Sequence, residues 1–173
     1  MTARKTSTPR TVDEFMAQAY AIEAEAAQRY REFAEQMEMH NNTEVAELFR
    51  KLERIEQKHR DQILQHMEWP TPPRVKRYKW QTAEGAETAA PEDLHYLMQP
   101  WHALEIALHN EQRAYKFFSK LAKARVPPGV RAAAKEMAEE EREHVELIRE
   151  WIKKVPEPGP GWDQDPDPPA GSE

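Results

Sequence analysis

Two tetrapeptides hold the residues best suited to chemistry: Glu56-Gln57-Lys58-His59 and Glu141-Arg142-Glu143-His144. In each, a carboxylate and an imidazole stand three residues apart, so a helix would place them on one side, one turn apart. An oxygen donor and a nitrogen donor held that way suit a transition-metal ion. Both pairs also fall where an apolar stripe should continue. One stripe reads Val45, Phe49, Leu52, Glu56, His59, Ile63, His66, and the other Val130, Ala134, Met137, Glu141, His144, Ile148, Trp151, Val155. Steps alternating between four and three mark the seam of a helix packed in a bundle. Two more carboxylates interrupt such seams: Glu23 on the line Met16–Glu23–Tyr30–Met37, and Glu111 among Leu104, Leu108, Tyr115 and Phe118.

Four helices must position these groups. Thr11-Val12-Asp13-Glu14 has the capping-box pattern and opens the first, over roughly 12–39. Asn41-Asn42-Thr43 is a short polar turn with a ready N-cap, and the second helix runs from it to about Met67. So short a turn makes these two an antiparallel hairpin. Pro70, Pro72 and Pro73 stop the second helix. The stretch through Pro100 holds no long helical pattern, apart from a short helix expected at Pro91-Glu92-Asp93-Leu94. Its length marks a crossover along the bundle. A third helix is expected over about Trp101–Arg125, and a fourth over roughly 129–154 after Pro127-Pro128-Gly129. The expected architecture is an all-α, antiparallel four-helix bundle over 11–155, with a long crossover between helices 2 and 3. From 156 to 173, six prolines, three glycines and five acids predict a flexible, solubilising tail. Nothing in its composition supports a docking peptide centred on Trp162. Residues 1–10 are expected to fray.

The chain repeats. Glu23 aligns with Glu111, Tyr30 with Phe118, Leu52 with Met137, Glu56 with Glu141 and His59 with His144. Each hairpin therefore supplies one Glu from its first helix and a Glu-x-x-His from its second. Four carboxylates and two imidazoles meeting in a bundle centre would cost several kcal/mol per buried ion if left empty. Two divalent cations would bring the cluster close to neutral. Oxygen and imidazole donors without sulfur suit iron, or manganese, rather than a structural zinc. In such a site Glu56 and Glu141 would bridge, Glu23 and Glu111 would each cap one ion, and His59 and His144 would complete the set. One Glu from each of two helices plus Glu-x-x-His from the other two is the donor set of ferritin-like dimetal carboxylate bundles, and the dimetal reading leans on that description.

Glu23 with Tyr30, Glu56-Gln57-Lys58-His59, Glu111 and Glu141-Arg142-Glu143-His144 together resemble the rubrerythrin and ferritin-like di-iron family. The resemblance spans about 12–154. It implies a ferritin-like fold and a non-haem di-iron oxidoreductase that reduces hydrogen peroxide or O2, with Glu23, Glu56, His59, Glu111, Glu141 and His144 as ligands. Tyr30 would hydrogen-bond a ligand carboxylate. It also implies a homodimer, in which hairpins can exchange between chains. The departures matter. Without cysteine there is no rubredoxin-type centre, so a separate electron-donor protein is expected. Ala114 stands where rubrerythrins carry a further Glu, and Gln57 where bacterioferritins place a haem-binding Met, so no haem is expected. The proline-rich end replaces the fifth helix of cage ferritins. A ferroxidase that handles iron is the alternative function, and a non-catalytic scaffold with incidental metal is a further one.

Composition narrows the rest. The absence of cysteine excludes disulfides, iron–sulfur clusters and a thiol nucleophile. A formal charge of −6 with mixed signs argues against nucleic acid, and no apolar run reaches membrane-spanning length. Met1 to Arg10 lacks the apolar stretch of a signal peptide, so a cytoplasmic location is expected. Glu92-Asp93-Leu94-His95 repeats the metal-binding spacing without a seam and is expected at the surface. His102, Glu105 and His109 share a flanking face, expected to be solvated. For the six-residue set, ion pairs on wet faces are the plain alternative, and the seam positions make it the poorer account.

Overall fold

The computed structural model describes residues 8–74 and 94–168. Four helices make up its regular structure: α1 (Val12–Met39), α2 (Thr43–His66), α3 (Pro100–Ala122) and α4 (Pro128–Ile152). No strand occurs among the described residues. Thr11 caps α1 by accepting the Glu14 N–H at 3.1 Å, while the Glu14 carboxylate takes the Arg10 N–H at 2.8 Å. The α1–α2 turn works because Asn41 adopts φ 57, a left-handed conformation that asparagine tolerates. Asn42 then accepts the Val45 N–H with its side chain.

Helix ends lie within three residues of expectation, and those of α1 coincide with it. α3 stops at Ala122, short of Arg125, because Lys123 and Ala124 bond only three residues back and Pro127 lies ahead. α4 begins one residue early, on Pro128, a residue suited to a helix's first turn. Of the expected short helix at 91–94, residues 91–93 lie outside the described residues. From Leu94 to Gln99 the chain forms a turn, with the Met98 N–H bonded to the His95 carbonyl.

The helix directions follow from which ends meet. Asn42 at the start of α2 donates to the carbonyls of Tyr96 and Met98, just before α3, at 3.3 and 2.7 Å. Helices α2 and α3 therefore start at the same end and run parallel. Phe15, near the start of α1, meets Phe118, near the end of α3, edge to face at 6.0 Å. A Cβ on Gly129 would lie 2.9 Å from a Val12 methyl, so the start of α4 abuts the start of α1 and needs glycine there. Parallel α2 and α3 require the connection to traverse the bundle, about 36 Å for a 24-residue helix. Its two described ends agree: Trp69 packs at one end of the bundle, Leu94 and Met98 at the other.

The core falls into two apolar clusters. One gathers Tyr30, Phe33, Met37, Phe49, Leu52 and Leu104. The other gathers Phe15, Ile22, Ile63, Phe118, Val130 and Met137. Each large side chain so buried contributes about 1.5–3 kcal/mol. The interrupting carboxylates occupy the layer between the clusters.

The segment expected to be a flexible tail touches the bundle through Trp162 and Asp165. Val155 and Trp162 pack on the first cluster, and the Tyr96 hydroxyl donates to Asp165 at 2.7 Å.

Candidate metal centre

Five acidic side chains are buried: Glu23, Glu53, Glu56, Glu111 and Glu141. They divide into two kinds. Glu53 is paired with the Arg50 guanidinium at 3.0 Å and takes the Gln57 amide at 3.1 Å, an ordinary compensation for a buried charge. The other four are no more than 5% exposed. Their neighbours include one another and two imidazoles.

The side chains of all four helices converge. His144 Nδ1 lies 3.4 Å from both Glu111 Oε2 and Glu141 Oε2. Donor atoms of Glu111, Glu141 and His144 lie within 4.8 Å of one another, and so do those of Glu56, His59 and His144. Glu23 joins the group by lining one cavity with Glu56, Glu111 and Glu141. All six expected residues are therefore in one cluster, three from each hairpin. The Tyr30 hydroxyl donates to Glu111 Oε1 at 3.4 Å, and its ring is enclosed by Phe33 and Phe49.

Burial sets the protonation states. It holds Glu23, Glu56 and Glu141 above the usual carboxylate range. Burial acts in the same sense on Glu111, but bonds from His144 and Glu141 outweigh it and leave Glu111 below that range. For His144, burial disfavours the charged ring, yet its bonds to Glu111 and Glu141 prevail and push it up to about 10. Burial, then repulsion from His144, pushes His59 down to about 4. Burial also raises the Tyr30 phenol well above its ordinary value, with Glu111 and Glu56 adding to the shift.

Two atoms are poorly matched. His59 Nδ1 is buried without a hydrogen-bond partner, and Glu141 Oε2 has only the His144 ring, at 3.4 Å, although each belongs to a cluster of metal-binding donors. An enclosed donor atom without a partner costs about 1–3 kcal/mol. A cation among these atoms removes that cost and neutralises the carboxylates, so the donor set fits the pair of ions expected from the sequence. A cavity of ≈ 60 Å³ reaches the cluster between α1 and α3. Glu23, Glu56, Glu111 and Glu141 form its floor, and Arg29 and Arg113 stand at its rim. Neither arginine stood out in the sequence, because both lie off the seams in a strongly charged chain.

Three histidines sit where the sequence did not place them. His95, expected at the surface, stacks on Tyr96 with centroids 4.9 Å apart. His102, expected to be solvated, packs on Trp162 at 3.9 Å and accepts the Gln99 N–H. His109, from the same face, has its Nε2 enclosed without a partner.

Helical hairpins enclosing a layer of carboxylates and imidazoles, with a long crossover between parallel second and third helices, define the ferritin-like carboxylate bundles. The sequence model of the rubrerythrin family matches residues 14–152, and the chain belongs to that family. Among solved structures it is similar to an uncharacterised conserved protein from Magnetospirillum magnetotacticum. That protein is 38% identical, with 86% of this chain and 98% of that chain covered, at a TM-score of 0.63. No curated protein matches.

Proposed function

We propose that this protein is a non-haem di-iron oxidoreductase that reduces hydrogen peroxide or O2. The observation that carries the reading is the convergence of four buried carboxylates and two imidazoles from all four helices, with His59 Nδ1 enclosed and without a hydrogen-bond partner. Glu23, Glu56, His59, Glu111, Glu141 and His144 hold two iron ions, with manganese as the alternative occupant. Bound as Fe(II), the pair supplies two electrons, enough with two protons to turn one peroxide into two waters.

The chain's own residues do the rest. Tyr30 holds Glu111 through its hydroxyl, so that carboxylate keeps its direction when charge in the cluster changes. The apolar clusters above and below keep bulk water from the layer, which strengthens every charge interaction inside it. The cavity has room for a few water-sized molecules, at about 10–15 Å³ each, and therefore for O2 or peroxide. Electrons come from outside these residues, since no cysteine is present to hold an iron–sulfur or rubredoxin-type centre; a separate donor protein supplies them. The protein works in the cytoplasm as a homodimer.

The test is to load the protein anaerobically with Fe(II) and mix it separately with peroxide and O2. A strong rate preference for peroxide, with iron retained, is the expected result. Slow peroxide turnover, with fast oxidation and iron leaving the protein, would instead identify a ferroxidase. Unchanged metal content in Glu56→Ala would identify a scaffold.

A further inference from the structure

Six rings form a continuous column at the end of the bundle where α1 turns into α2. In order they are His40, Tyr96, His95, Trp162, His102 and Trp101. Successive centroids lie 5.8, 4.9, 5.2, 3.9 and 5.4 Å apart. Four of the five separations are within the range of attractive ring contacts, about 4.5–7 Å, and His102 and Trp162 approach more closely still. The column joins distant parts of the chain. His40 caps the C-terminus of α1, Tyr96 and His95 belong to the return of the crossover, and Trp101 and His102 form the first turn of α3. Only Trp162 comes from beyond α4, and it stands between the crossover return and α3.

We propose that residues 156–168 are a clasp, with Trp162 as its pin, that locks the crossover return and the first turn of α3 onto the end of the first hairpin. Its second fastening is the Tyr96 hydroxyl on Asp165, at 2.7 Å. The clasp acts through the two histidines beside Trp162. Each uses Nδ1 to accept a backbone N–H: His95 from Leu97 at 3.1 Å, His102 from Gln99 at 3.0 Å. Each bond ties its ring to the backbone beside it. These two bonds last only while the rings keep their orientation, and Trp162 holds both from one side. On the other side Asn42 ties the same return to the first hairpin. The carboxylate cluster draws three residues from each hairpin, so a clasp joining the hairpins at one end helps set their spacing.

Hydrogen exchange on the full-length chain tests this, with the amides of Leu97 and Gln99 as reporters. Trp162→Ala is expected to speed both at least tenfold and leave amides around Ile63 and Phe118, toward the opposite end, within twofold. Trp162→Phe should keep most of the protection. Tyr96→Phe, which keeps the ring and removes the fastening to Asp165, should give a smaller, twofold to fivefold, acceleration. The proposal is overturned if Trp162→Ala leaves Leu97 and Gln99 within twofold of the natural chain. It is equally overturned if the acceleration spreads evenly to Ile63 and Phe118, which would mean general loosening.

Discussion

His59 and His144 lie face to face, their ring centroids 4.3 Å apart and their planes 10° from parallel. They come from different hairpins and are the two imidazoles of the repeated motif, yet their environments are opposite. His144 faces two carboxylates and is pushed up to about 10, while His59, buried beside it, is pushed down to about 4. Around neutral pH the pair therefore carries one charge in the metal-free protein. The sequence repeat is symmetric; the electrostatics are not.

His144 belongs to both groups of donor atoms, whereas His59 belongs to one. His144→Ala is thus expected to lose most of both ions, and His59→Ala to retain about one per chain. Metal analysis of the purified variants reads this directly. Equal losses in the two variants would contradict the unequal sharing.

Tyr30→Phe removes one hydrogen bond to Glu111 and leaves the ring's packing in place. Loss of such an outer partner lowers metal affinity about 10–100-fold. Competition with a chelator measures the change. In the metal-free protein, stability should change by no more than about 1–2 kcal/mol.

The two kinds of buried acid should respond in opposite directions in metal-free protein. Glu53→Ala breaks an ion pair and is expected to destabilise by about 1–3 kcal/mol. Glu56→Leu removes a carboxyl buried beside three others and should stabilise by about 1–4 kcal/mol. Urea denaturation in the presence of a chelator compares them. With metal bound, the Glu56→Leu advantage should disappear.

Stability of the metal-free protein should fall as pH rises. Below about pH 6.5, the ordinary histidine value, His144 is protonated in both folded and unfolded chains and its stabilisation is fully present. Between there and about 10, the unfolded chain loses the proton first, and the stabilisation is progressively lost. Glu23, Glu56 and Glu141 act in the same direction, since the folded state holds their protons longer. Denaturation midpoints at pH 6.5, 8 and 9.5 should decline, and His144→Gln should flatten the decline. A rising midpoint would contradict these protonation states.

Much of the fold was legible before any coordinates. A Glu or His recurring in a 4-3 seam is readable because helix periodicity is local, and α1 through α4 fall within three residues of expectation. The crossover was legible from Pro70, Pro72 and Pro73 and the length that follows them. Glu53 was not legible as a buried acid, since only the approach of Arg50 makes that position tolerable. Trp162 was hidden by its neighbours. Composition averages a segment, whereas docking depends on one ring finding His95 and His102.

The order of residues by itself determined the four helices, their apolar faces and which six polar groups must share those faces. These follow from a period of 3.6 residues and need no knowledge of partners. Tertiary structure alone decided that His144 serves two donor groups and His59 one, that a cavity opens between α1 and α3, and that the C-terminal segment closes one end. Each of these depends on distances between side chains remote in the chain, and no local pattern encodes them.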